Sequence, residues 1–354
     1  MQVIEEYIRA HPEHLVRAWA ERAPLGSLDI EVRLDWRCNA ECKFCGVWKY
    51  SRDGMLPPER WMTIFDELAA EGLRRVLFTG GEPMMVPYFH DVIEHVDALG
   101  IETAIITNGS LLKPARVARL AAMRHLRDIT ISLDSGDAHV HDEVRKFRGL
   151  FKLAVAGMAR LREAAPQIRL TVNTVISAET AASIGDLLSL PVLPDQMRVF
   201  PVGLDMRWLD SLADKQEDGW AEWAAEAKEQ KLSDDDRRRV TDALRELQRV
   251  AAEKGVALEF DRMTAADDFS GNCYVPLGHF VVQPDGDVYP CCHVQSPKQR
   301  IGRLKTQSPR EFFAGSDYRD FVGALRPVSL PACVRCSRYR KFNDFADAVL
   351  GAQP

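Results

Sequence analysis

The stretch Arg33–Tyr50 reads RLDWRCNAECKFCGVWKY, and its cysteines decide how the rest of the chain is read. Cys38, Cys42 and Cys45 are separated by three and then two residues. A structural zinc is normally closed by four protein ligands, and a [4Fe–4S] cluster usually by four cysteines. A local group of three leaves one corner of a tetrahedral unit open. This suits a metal centre whose last ligand is not protein. The alternative is half of a zinc site, completed from elsewhere in the chain.

Composition narrows the classes. The 354 residues, 46% hydrophobic, suffice for a large core and suggest two domains. A net charge of −6 and a pI near 5.9 speak against nucleic acid or a membrane surface as partner. No apolar run reaches the roughly 18 residues of a membrane span. The start, MQVIEEYIRAHPEH, is too acidic and broken for a signal peptide. A cytoplasmic protein is expected, and there cysteines stay reduced. Their clustering then points to metal rather than disulfides. Cys273, Cys291, Cys292, Cys333 and Cys336 occupy the last quarter, and no cysteine lies between Cys45 and Cys273. Two separate metal-bearing regions follow.

Working outward from the triplet, Ile30–Leu34 is the strand that delivers the chain into the cysteine loop. Five further strands are expected at Val76–Gly80, Thr103–Thr107, Asp128–Asp134, Arg169–Val175 and Gln196–Val202. Between them, helical spacing marks Trp61, Ile64, Phe65 and Leu68, then Phe89 to Leu99, Pro114 to about Met123, Phe151–Ala164, and a short helix at Ala178–Leu190. Strands alternating with helices predict an α/β fold, a partial (β/α)6 TIM-like barrel, whose chemistry sits on loops after the strands. Those loops carry the cysteines, GGEP (Gly80–Pro83), TNG and SLDS. The expected organisation is an N-terminal helical extension over 1–26, the barrel over 27–205, a charged helical linker over 206–255 capped by Ser233, and a cysteine-bearing domain over 256–354 with a hairpin turn at Asp285-Gly286.

A C-x3-C-x2-C loop after strand one, an aromatic residue (Phe44) before its last cysteine, and GGE after strand two together closely resemble the radical S-adenosylmethionine (SAM) enzymes. The resemblance covers about residues 28–205. It implies that Cys38, Cys42 and Cys45 hold a [4Fe–4S] cluster whose open iron is chelated by SAM. One electron then cleaves SAM to methionine and a 5′-deoxyadenosyl radical, which abstracts a substrate hydrogen. An external one-electron reductant of flavodoxin or ferredoxin type is implied as partner. Gly80, Gly81 and Glu82, followed by Pro83, would cradle the SAM ammonium, and Phe44 would lie beside the adenine. Ser132 and Asp134 would sit near the ribose, and Arg145 would pair with the SAM carboxylate. Thr107, Asn108, Asn173 and Arg198, with Arg33, Asp35 and Asp205, are candidates to face the cavity.

The C-terminal cysteines refine the subgroup. The layout C-x17-C…C-x2-C around PDGDVYPCC resembles the SPASM/twitch extension, a small β-hairpin plus helix. It implies one auxiliary [4Fe–4S] cluster held by Cys273, Cys291, Cys333 and Cys336. Adjacent side chains on a strand face opposite ways, so only one of Cys291 and Cys292 is expected to bind, and sequence leaves them interchangeable. Structural zinc remains the alternative, as does a zinc-binding scaffold protein. The layout resembles twitch-bearing dehydrogenases of antibiotic pathways, such as 2-deoxy-scyllo-inosamine dehydrogenase. That implies two-electron oxidation of a sugar- or aminocyclitol-like small molecule. Decarboxylation or epimerisation of a similar substrate, or modification of a ribosomal peptide, is the alternative. Residues 1–26 are too short for an added peptide-recognition domain, which is why the small molecule is preferred. His293 could tune the second cluster by a hydrogen bond.

Overall fold

The computed structural model describes residues 1–202, 233–260, 269–295, 297–328, 330, 333, 336 and 339–351. Two short helices, α1 (Gln2–Ala10) and α2 (Pro12–Glu21), open the chain. They bury Ile4, Ile8, Leu15 and Ala18 and leave their charges outside. β1 (Leu28–Arg33) then runs into the cysteine loop. The barrel continues with α3 (Pro58–Ala70), β2 (Leu73–Thr79), α4 (Phe89–Ala98), β3 (Glu102–Thr107), α5 (Pro114–Ala121) and β4 (Leu126–Ser132). It closes with α6 (Ala138–Arg145), α7 (Leu150–Ala164), β5 (Arg169–Ile176) and β6 (Gln196–Pro201). The stripe on α3, Trp61, Ile64, Phe65 and Leu68, is wholly buried against the sheet. Each such side chain contributes about 1.5–3 kcal/mol.

β1 to β6 pair in sequence order, all parallel, as the alternating pattern predicts. In-register residues share a face, so Arg33, Thr79, Ser132, Asn173 and Arg198 stand on one side of the sheet at its carboxyl end. That side is the barrel interior. The opposite side carries Ile30, Val32, Val76, Phe78, Ile129 and Ile131, buried under the helices.

The sheet extends beyond six strands at both edges. The helix α8 (Asp234–Glu253) carries the expected Ser233 cap and buries the stripe Val240, Leu244, Leu247 and Ala251. Parallel strands need a crossover of a dozen or more residues, usually helical. α8 precedes one such strand, β7 (Ala257–Phe260), which pairs parallel with β6. The start of the region expected as the cysteine-bearing domain, 256–354, thus pairs with the barrel's sheet. At the other edge, β8 (Val281–Val282) pairs parallel with β1, while β9 (Asp287–Tyr289) and β10 (Gly302–Arg303) continue antiparallel. Among the described residues one ten-stranded sheet results. The helices α9 (Pro309–Ala314), α10 (Ser316–Gly323) and α11 (Arg340–Gly351) complete the described chain.

Two local expectations change. Ala178–Leu190 forms separate 3₁₀ turns, Ala181–Ser183 and Gly185–Ser189, rather than a helix. Ser177 and Thr180 bond each other's backbone N–H groups through their hydroxyls, which competes with helical pairing. Conversely, α6 was not foreseen, although Asp137 caps it by accepting from His139 N and Val140 N. The expected linker at 206–232 and the candidate Asp205 lie outside the described residues. Among the described residues, no helix is long and apolar enough to cross a membrane.

Candidate active site

The cysteine loop is held by the strand that follows it in the sheet. Gly81 N donates to Asp35 O at 3.2 Å, and Glu82 N donates to Arg37 O at 2.6 Å. A Cβ on Gly81 would lie 2.0 Å from Arg37 O. One on Gly80, at φ +125°, would lie 2.9 Å from Asp35 O. The two glycines thus admit the backbone of the cysteine loop itself, where the sequence suggested room for a ligand. Asp35, buried, turns the loop by accepting from Arg37 N and pairs with Arg37 and Arg52. Lys43 N bonds Val144 O, and the Lys43 side chain pairs with Glu179, so α6 and the turn after β5 also grip the loop.

The three thiols open on one cavity of about 170 Å³. Gly80, Gly81, Glu82, Thr107, Asn108, Ser132 and Arg145 line it too. Four successive strand ends therefore meet there, as the barrel requires. Burial pushes the Cys38 thiol up to about 12 and the Cys42 thiol up to about 11, and it raises Cys45. These groups are protonated thiols near neutral pH, and loading a metal must displace those protons.

Glu82 is 1% exposed, and burial raises its carboxyl above the usual range. It accepts from Thr107 Oγ1 at 2.7 Å, Asn108 N at 2.8 Å and Met84 N at 3.3 Å. A carboxylate offers about four acceptor positions, so one remains for a ligand. Asn108 continues the clamp to Asn39, and Asn39 to Ser110.

Asp134 is bound to Arg145. Its oxygens take a bidentate pair from Arg145, at 2.5 and 2.8 Å, and the N–H of Val175 at 2.9 Å. It braces Arg145, which lines the cavity, and is not itself among the lining residues. Arg145 keeps Nη1, 3.8 Å from Cys42 Sγ, and stands over the Phe44 ring at 5.2 Å. Phe44 and Pro83 are also absent from the cavity wall: Phe44 supports Arg145, and Pro83 is buried at the start of a 3₁₀ turn. Asn173 stands in register beside Ser132 with a buried Oδ1 that makes no hydrogen bond among the described residues. Arg198 is drawn off to Gln196 and Glu259.

Two residues escaped the sequence reading. His141, wholly buried on α6, accepts from Asp134 N through Nδ1. Trp48 lines the cavity with a buried indole N–H that has no hydrogen-bond partner among the described residues. It sat in plain view three residues after Cys45, but an aromatic side chain there reads as packing.

Cys273, Cys291, Cys333 and Cys336 line a second cavity of about 20 Å³ with His293, Tyr339 and Asn343. Cys292 does not line it. Its sulfur lies 3.5 Å from the hydroxyl of Tyr339, itself a residue of the cavity wall. Burial raises the Cys273 thiol to about 12 and the Cys333 thiol to about 11.

Comparison with known proteins agrees with this geometry. The Radical SAM superfamily matches residues 37–190, and the SPASM iron–sulfur cluster-binding domain matches residues 273–337. An AdoMet-dependent heme synthase of Nitratidesulfovibrio vulgaris is 28% identical over 51% of this chain and 49% of its own. A PqqA peptide cyclase of Rhodopseudomonas palustris is 30% identical over 49% of this chain and 45% of its own. The chain thus spans about half the length of these curated relatives. Streptococcus suis SuiB, solved bound to precursor peptide SuiA, superposes with a TM-score of 0.67 at 15% identity, covering 94% of this chain and 76% of that one. The chain carries a radical SAM domain at residues 37–190, followed by an iron–sulfur cluster-binding SPASM domain at residues 273–337.

Proposed function

We propose that this radical SAM/SPASM enzyme abstracts a hydrogen atom from a peptide substrate. The observation that carries the chemistry is the shared cavity: three thiols with no fourth cysteine, facing Glu82, Ser132 and Arg145. When bound there, a [4Fe–4S] cluster and SAM supply one-electron cleavage of a carbon–sulfur bond and hydrogen abstraction. Cys38, Cys42 and Cys45 would hold that cluster, and Cys273, Cys291, Cys333 and Cys336 the auxiliary one. The remaining acceptor position of Glu82 suits an ammonium, and Nη1 of Arg145 suits a carboxylate. Trp48 offers a donor that has no partner among the described residues.

The sugar- or aminocyclitol-like substrate expected from sequence rested on the auxiliary cysteine layout, which also resembles that of peptide-modifying enzymes, and on the shortness of residues 1–26. Similarity to the PqqA peptide cyclase supports the peptide alternative instead. Oxygen-free purification should give about eight irons per chain, and reduction should cleave SAM. Replacing Cys38, Cys42 and Cys45 by alanine should halve the iron and abolish cleavage. Peptides encoded by short reading frames beside the gene should accelerate cleavage and return altered in mass or stereochemistry. Zinc in place of iron would sink the cluster reading, and acceleration by polyols alone would sink the peptide.

A further inference from the structure

Away from the reaction cavity, His11, Glu13 and His14 gather at the elbow between α1 and α2. His11 ends α1 and begins α2, and its side chain makes no capping bond. The backbone there is fixed, since His11 N donates to Tyr7 O at 2.9 Å and His14 N to His11 O at 3.1 Å. One carboxylate oxygen, Glu13 Oε1, lies 3.9 Å from His11 Nδ1 and 3.7 Å from His14 Nε2. One ligand atom from each of the three residues falls within 4.8 Å of the other two. Zinc binds imidazole nitrogen and carboxylate oxygen at about 2.0–2.2 Å, so its tetrahedral neighbours stand about 3.4 Å apart. Closing to that spacing takes shifts of about half an ångström in partly exposed side chains. The other ring nitrogen of His14, Nδ1, is 2.7 Å from the Tyr7 hydroxyl. Metal-bound imidazoles generally give their second N–H to such an acceptor, which fixes tautomer and ring orientation. The Tyr7 ring also packs on His11, with centroids 5.0 Å apart.

We propose that the α1–α2 elbow is a zinc site, with His11 Nδ1, Glu13 Oε1 and His14 Nε2 as ligands and Tyr7 orienting His14. Two imidazoles and a carboxylate suit zinc, whereas Mg²⁺ and Ca²⁺ take oxygen ligands. Three protein ligands leave the fourth position to water. The site is separate from SAM and from both cysteine groups. Its metal clamps two helices that carry Arg9 over Phe345 and Trp19 on Tyr274, the neighbour of Cys273. The role that follows is to brace the wall beside the auxiliary cysteines.

The test uses tag-free holoprotein, its clusters loaded and loosely held metal removed by a chelator, titrated with zinc chloride. Calorimetry should count one zinc per chain, iron content should stay constant, and the unfolding temperature should rise. His11→Gln/His14→Gln should lose both the zinc and that rise while keeping its iron. Tyr7→Phe should still bind one zinc, about 10–100-fold more weakly. A large excess of Mg²⁺ should not displace it. Equal zinc uptake by the double variant, uptake matched by loss of iron, or uptake only at millimolar zinc would each overturn the site. None of these readouts needs SAM cleavage, so the functional reading stands or falls apart from them.

Discussion

Asp134 shows how a residue beside a site can matter without touching it. Both its oxygens serve Arg145 and Val175 N, so its negative charge is what makes a buried guanidinium tolerable beside Cys42. Asp134→Asn should destabilise the chain by about 3 kcal/mol in chemical denaturation, because an unpaired buried cation remains. SAM affinity should fall with it as Arg145 loses its orientation, and unchanged affinity would deny Arg145 a role. His141 adds a pH dependence. Burial is the main cause that depresses its imidazole from 6.5 to about 4, against the opposing pull of Asp134. Above pH 6.5 the ring is neutral in both folded and unfolded chains and contributes nothing. As pH falls from 6.5 towards 4, the unfolded chain binds a proton that the folded chain refuses, so stability falls on the order of 3 kcal/mol. His141→Asn keeps an acceptor for Asp134 N but cannot titrate. Its stability should decline less steeply than wild type over that window, measured by denaturation at each pH.

At the scale of elements, the loops are set by close backbone approach. Gly81→Ala would drive a Cβ against Arg37 O and should cost about 1–3 kcal/mol or more, with loss of iron from the triplet. Retention of both would mean that the two loops can part without harm. Asp137→Ala removes the cap of α6 and should cost about 1 kcal/mol while loosening Arg145 and His141 together, read as weaker SAM binding. The six strands and the GGEP placement were legible in the sequence, because apolar runs such as VLFTG and TAIIT alternate with helical spacing. The cysteine spacing was equally legible, since ligands grouped in sequence need only a loop to meet. What depends on distant pairing was not. Nothing in ALEF declares that it joins β6, and nothing in FVVQ declares that it lies beside β1. The Asp134–Arg145 pair was hidden for a similar reason: Arg145 arrives on a helix whose capping signal, Asp137, was passed over.

For the whole molecule, the decisive fact is that the auxiliary cysteines hang from the barrel's own sheet. The segment leading into β8 runs along β1, with Leu25 N bonding Leu277 O, Asp29 N bonding Gly278 O and Glu31 N bonding Phe280 O. Phe280 is wholly buried against Phe312 and Phe313, so α9 is tied to the same edge. Trp19 of α2 packs on Tyr274, the neighbour of Cys273, and Arg9 of α1 lies over Phe345 of α11. A ligand that binds only the folded state stabilises everything that unfolds with it. A cluster at Cys273, Cys291, Cys333 and Cys336 should therefore stabilise the barrel as well as its own surroundings. Cys333→Ser/Cys336→Ser, purified without oxygen, should lose about half the iron and unfold in one calorimetric transition at a lower temperature than wild type. The alternative, a C-terminal domain that merely follows the barrel, predicts a barrel transition left at the wild-type temperature with a separate, weaker one below it. One peak moving as a whole is the outcome that a continuous ten-stranded sheet requires.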